Sequence, residues 1–176
     1  MAKLKIVEVP DARLKKISEP VKEINAEIQQ LLDDMLETMY DAPGIGLAAV
    51  QVGVLKRVVV LDIAGKDEPP APMFLINPEI IASSEELEEC EEGCLSVPKQ
   101  FATVFRPAEV TVKYLDRDGN NCQVKADGLL AVALQHEIDH LNGKVFIDYL
   151  SPLKRKILLR KLEKDRRFRE NEPEEE

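Results

Sequence analysis

The chain has 176 residues, enough for one domain with a substantial core. Its hydrophobic share of 44% and charged share of 32% are those of a soluble globular protein, and no apolar stretch approaches the roughly 18 residues that cross a bilayer. A net charge of −9 argues against nucleic-acid binding, DNA above all, by the protein as a whole.

The opening MAKLKIVEVP has no apolar run ending in small residues, so it reads neither as a secretory signal nor as an Arg- and Ser-rich transit peptide. Residues 25–41 read as the first helix. Asn25 is its N-cap, and Ile28, Leu31, Leu32, Met35, Leu36 and Met39 recur at helical spacing until Pro43-Gly44 stops the run. APGIGLAAVQVG, residues 42–53, follows. Its glycines and alanines let backbone approach a ligand closely. The G-x-G lacks the third glycine of a dinucleotide loop and follows no strand, so a Rossmann reading is rejected. Gln51 is the one side chain here with a donor amide; alone, it reads as a surface turn residue.

RVVVLDI (57–63) is an apolar, β-branched run and predicts a buried strand. GKDEPPAP (65–72) is a loop, and 74–78 with 78–89 suggest further strand. Residues 109–116 and 122–126 form a hairpin around an Asp-Gly turn. Asp127 caps a second helix through Asn142, with Gly143 just past its end. KVFIDYL is a short strand or extended piece, and Ser151-Pro152 starts a third helix. Helix, strands, helix, helix does not alternate as βαβ units do. The order predicts an α+β fold: mixed or antiparallel strands packed around a central helix, with an N-terminal and a C-terminal helix.

The second helix holds HEIDH, and with it the only two histidines of the chain, His136 and His140. Four residues is just over one turn, so the imidazoles share a face about 6 Å apart along the axis, as a metal site needs. Glu137 lies about 100° around the helix from His136 and can flank the metal without binding it, as a general base on water. Asp139 sits on another face, where it could orient a ligand from behind or simply be solvated; the second reading is favoured. Two histidines leave the third ligand to Cys, Asp or Glu. Among the three cysteines, Cys94 stands out: Gly93 precedes it, and a run of glutamates would make it a poor free nucleophile but not a poor metal ligand. Three cysteines are odd in number and sparse, which argues for a reducing, cytoplasmic compartment over a disulfide framework.

GIGLAAVQ (44–51), EGCLS (92–96) and HEIDH (136–140), in this order, closely resemble the three motifs of the peptide deformylase family. The resemblance runs along most of the chain and implies a single catalytic domain over 1–169. It implies metal ligands Cys94, His136 and His140, with Glu137 as general acid/base. Gln51 and the backbone N–H of Leu95 would bind the formyl oxygen. Ile45, Gly46, Glu92, Leu129, Val132 and Ala133 would line the methionine pocket. The metal would be Fe²⁺, with Zn²⁺ or Ni²⁺ able to replace it. The implied substrate is an N-formylmethionyl nascent peptide, hydrolysed to formate and a free N-terminal methionine. Phe101 departs from the Arg that many bacterial relatives carry nearby to hold the peptide backbone. A zinc peptidase sharing HExxH with a distant Glu ligand is the first alternative. A metal-stabilised, non-catalytic ribosome- or RNA-binding module is the second.

Residues 154–169 hold nine Lys/Arg against two acids, and the next seven, 170–176, hold five acids. Leu153, Ile157, Leu158 and Leu162 form an apolar stripe that would dock this helix on the body. In the relatives the corresponding helix, here 152–169, docks on the ribosome; the acidic tail reads as disordered.

Overall fold

A computed structural model describes residues 2–171. The strands build a five-stranded sheet in the order β1 (Gly46–Ala48), β2 (Val58–Leu61), β3 (Met73–Ser83), β6 (Val110–Leu115), β7 (Asn121–Ala126), and a separate two-stranded ribbon of β4 (Leu87–Cys94) and β5 (Val97–Pro107). Every strand pair is antiparallel. Three helices, α1 (Ala26–Asp41), α2 (Gly128–Leu141) and α3 (Pro152–Asn171), complete the expected α+β fold.

Helix α1 packs on one face of the sheet. Its Ile28, Leu32, Met35 and Met39 meet Val58, Val60 and Ile76. Helix α2 packs on the other, where Ala131, Ala133, Leu134, Ile138 and Leu141 meet Val59, Leu61, Leu75, Val110 and Val112. Strand β2 is thus buried on both sides, which is why it reads as an unbroken apolar run rather than an alternating one. Asn25 caps α1 as expected, its side chain accepting from Ile28 N at 3.1 Å. Asp127 occupies the N-cap position of α2 but makes no side-chain cap bond.

A smaller core joins the N-terminal leg to the ribbon and α3: Val7, Val9 and Leu14 pack with Val97, Val104, Phe146, Leu158 and Leu162. The leg also fastens the end of α2. Ser18 N donates to Leu141 O at 2.8 Å, and Gly143, at φ +78°, lies so close to Lys15 that a Cβ would stand 2.5 Å from its carbonyl oxygen.

Several elements differ from the sequence reading. Residues 97–107 form β5, which was not anticipated. Its buried and exposed positions alternate, but the inward ones include Gln100 and Arg106, so no apolar period marks it. Phe146–Tyr149 is a 3-10 turn rather than extended chain. Only part of the α3 stripe docks: Leu158 and Leu162 are buried, while Leu153 and Ile157 are 68% and 45% exposed. Helix α3 also continues through Glu170 and Asn171, two residues into the segment read as tail; residues 172–176 lie outside the described part. Among the described residues, no helix is long and apolar enough to cross a membrane.

Candidate metal centre

Cys94 ends β4, and His136 and His140 lie on α2. The ribbon folds back onto the helix, so one donor atom from each of these three residues lies within 4.8 Å of the others. Cys94 Sγ is 3.3 Å from His140 Nε2, and the imidazoles meet edge-on with centroids 5.0 Å apart. The thiol thus stands beside the histidine pair, and a distant glutamate is not needed as third ligand.

The surroundings fit a divalent cation. His136 Nδ1 is 2.9 Å from Glu92 Oε1. An ionised carboxylate only accepts, so this contact puts the ring proton on Nδ1 and leaves the Nε2 lone pair for a metal. Burial opposes a charge on His136, but the Cys94 sulfur, Glu92 and Glu137 outweigh it and hold the ring's pKa well above the ordinary range. Burial, with His136 and Arg106 nearby, holds His140 neutral, well below that range. One positive charge is favoured at the centre of this cluster, and a metal ion can supply it in place of a proton.

Glu137 is 4% exposed, and burial pushes its carboxyl up to about 7. Its Oε2 is buried without a hydrogen-bond partner. The other oxygen lies against Gly46, where a Cβ would come within 2.8 Å of Oε1. A side chain at position 46 would therefore displace the carboxylate. A carboxylate near neutrality, with a lone pair unspent, is suited to exchange a proton with a small reactant.

Gln51 sits in the 3-10 turn Ala49–Val52 and is fully buried, not a surface turn residue. Its Oε1 accepts from Ala48 N at 2.9 Å, which orients the amide. Its Nε2 donates to Ser96 Oγ at 3.0 Å and lies 3.5 Å from Cys94 Sγ. Leu95 follows Cys94 in the turn of the ribbon. Gly44 makes room for it, since a Cβ there would stand 2.7 Å from Leu95 Cδ1.

The pocket residues divide. Ile45 and Leu129 keep 44% and 53% of their surface exposed, an arrangement that leaves apolar area for a ligand. Val132 is half-buried and Ala133 belongs to the core under α2. Glu92 lies deeper than Ile45 and Leu129. Its carboxylate is buried and fully engaged, with Oε1 between His136 and Arg106 Nη2 and Oε2 on Arg106 Nε. Asp139, read as solvated, accepts from Arg106 Nη1 at 2.9 Å and from the Tyr149 hydroxyl at 2.7 Å. Arg106 and Tyr149 are the residues that sequence reasoning missed. Arg106 sits in the unrecognised strand, 14 positions from Glu92 and 33 from Asp139, and no local pattern links them. Phe101 is 64% exposed and lies across Gly93.

Comparison with known proteins agrees with this geometry. The family described as polypeptide deformylase matches residues 3–156. A peptide deformylase of Rhizobium meliloti is 55% identical over 159 residues, 90% of this chain and 91% of the relative. A crystal structure of a peptide deformylase from Legionella pneumophila superposes with a TM-score of 0.92 at 50% identity, covering 98% of this chain and all of the other. That of the Ehrlichia chaffeensis peptide deformylase in complex with actinonin gives 0.89 at 48% identity, covering 94% and 98%.

Proposed function

The chain belongs to the polypeptide deformylase family, and from that premise we propose how its own residues carry the reaction. It is a hydrolase that removes the formyl group from the N-terminal formylmethionine of new polypeptides and releases formate. Convergence of Cys94, His136 and His140 beside the buried Glu137 is the observation that carries this reading.

Cys94, His136 and His140 hold one divalent ion. A thiolate with two imidazoles suits ferrous iron or zinc by ligand softness; we take Fe²⁺ as the native ion, with Zn²⁺ or Ni²⁺ as replacements. When bound, it polarises the formyl carbonyl and makes an adjacent water more acidic. Glu137 accepts a proton from that water as its oxygen attacks the formyl carbon. Negative charge develops on the formyl oxygen, and the Gln51 amide and the Leu95 N–H donate to it; one such donor is typically worth about 3–4 kcal/mol. Glu137 then passes the proton to the leaving nitrogen as the C–N bond breaks, giving formate and a free methionine amine. Ile45, Gly46, Leu129, Val132 and Ala133 receive the methionine side chain. Glu92 serves by orienting His136 rather than by touching substrate.

Residues 1–169 act as one catalytic domain. Lys154, Lys156, Arg160, Lys161, Lys164, Arg167 and Arg169 of α3 face solvent, which supports docking of this helix on the ribosome beside the emerging substrate. The three free thiols suit a reducing cytoplasm.

The test is to purify the protein without oxygen, assay its metal, and measure formate release from formyl-Met-Ala. Stoichiometric metal with turnover is expected, and Cys94→Ala should lose both. Metal binding that survives Cys94→Ala, or metal without turnover, would sink the reading.

A further inference from the structure

Glu92, Arg106, Asp139 and His136 form a closed ring. His136 and Asp139 are three apart on α2, so they lie on adjacent turns of one helix surface. His136 Nδ1 reaches Glu92 Oε1, the same oxygen accepts from Arg106 Nη2 at 2.9 Å, and Arg106 Nη1 returns to Asp139 Oδ2 at 2.9 Å. Glu92 is two residues before Cys94 on β4, and Arg106 is on the paired strand, where it faces Glu88 in the register. The ring therefore ties the ribbon that carries the thiol to the helix that carries the imidazoles, next to where they meet.

Tyr149 is the one member outside the ring. Its hydroxyl donates at 2.7 Å to Asp139 Oδ2, the oxygen that Arg106 also uses, and its ring lies under the guanidinium, 5.0 Å from Cζ to centroid. It comes from the 3-10 turn that leads directly into α3. Tyr149 is 48% exposed, so its contacts with this network are not a by-product of burial.

We propose that Tyr149 is a positioning residue for the metal ligands: through Asp139 and Arg106 it fixes Glu92 against His136, and so sets how long the ion is retained. The idea rests on the metal centre described above. Losing a direct partner of a metal-bound histidine typically costs 10–100-fold in metal affinity, so a hydrogen bond further out should cost roughly 3- to 10-fold.

The experiment uses metal-loaded wild type, Tyr149→Phe, Asp139→Asn and the double variant. Release of the ion to a coloured chelator is timed, and thermal unfolding is recorded with and without metal. Tyr149→Phe keeps the ring over Arg106 and deletes only the hydroxyl bond. It should release metal roughly 3- to 10-fold faster, Asp139→Asn faster still, and the double variant no faster than Asp139→Asn. Destabilisation should be larger in the loaded protein than in the metal-free one. A wild-type release rate in Tyr149→Phe overturns the proposal. So does an equal stability loss in both forms, which marks a role in folding alone. Formate release by the wild type in the same preparations reports on the deformylase reading separately.

Discussion

Toward the five-stranded sheet, α2 presents Ala131, Leu134, Ile138 and Leu141 to a core of valines and leucines; toward the β4–β5 ribbon it presents His136, Asp139 and His140 to a thiol, a glutamate and an arginine. The sheet side gains stability from apolar area removed from water. The ribbon side buries the Arg106–Glu92 ion pair, whose side chains are 4% and 3% exposed. Desolvation offsets much of what such a pair contributes, so its value lies more in geometry than in stability. One helix is thus held in place by its first face and aimed by its second.

Four measurements test that division. The largest effect is expected from Glu137→Gln, which touches neither attachment: formate release should fall by about 10²–10⁴-fold while metal content and melting temperature stay near wild type. Retained activity would remove Glu137 from the chemistry. Next is Arg106→Met, which leaves the buried Glu92 with His136 as its one remaining partner and should cost about 3–5 kcal/mol in urea unfolding. The double variant Glu92→Met/Arg106→Met should regain most of that stability but not the metal. If metal binding returned as well, the ribbon side would be doing no aiming.

Leu134→Ala probes the sheet side. It should cost about 2–5 kcal/mol, with the folded fraction still binding its ion. Smallest is Asp62→Asn. Burial raises the Asp62 carboxyl, but the Tyr40 hydroxyl and the Ala64 and Ala71 amides outweigh it and hold it below the usual value. A depressed folded-state pKa stabilises the protein above the unfolded value of about 3.9 and loses that contribution as pH falls through the folded one. Wild type should therefore exceed the variant by about 1–3 kcal/mol at pH 7, and the gap should close below pH 4. A gap independent of pH would show that the charge at position 62 does not matter.

What could be read from the chain follows the range of the interactions. Asn25 with its apolar period, the Asp-Gly hairpin and the paired histidines are patterns within a few residues, and all three appear in the fold. The convergence of Cys94 with His136 and His140 was legible because three short motifs stand together, and the family resemblance drew attention to Gln51 and Leu95 beside them. Strand β5 was hidden because Gln100 and Arg106 replace apolar residues on its inner face, where they meet Asp165, Glu92 and Asp139 instead. The partners of Glu92 and Asp139 were out of reach for the same reason: each pairs with an arginine that no spacing rule connects to it.

The lock between the N-terminal leg and the end of α2 bears on how the protein is made. Gly143 sits against Lys15, so residues near the start of the chain pack on a surface that only the Phe146–Tyr149 turn, α3 and the residues after it follow in the sequence. A growing chain short of residue 140 still lacks His140 of the Cys94–His136–His140 cluster, and its leg still lacks the helix end that it clasps. The cluster and the clasp are thus both complete only once the end of α2 has been made.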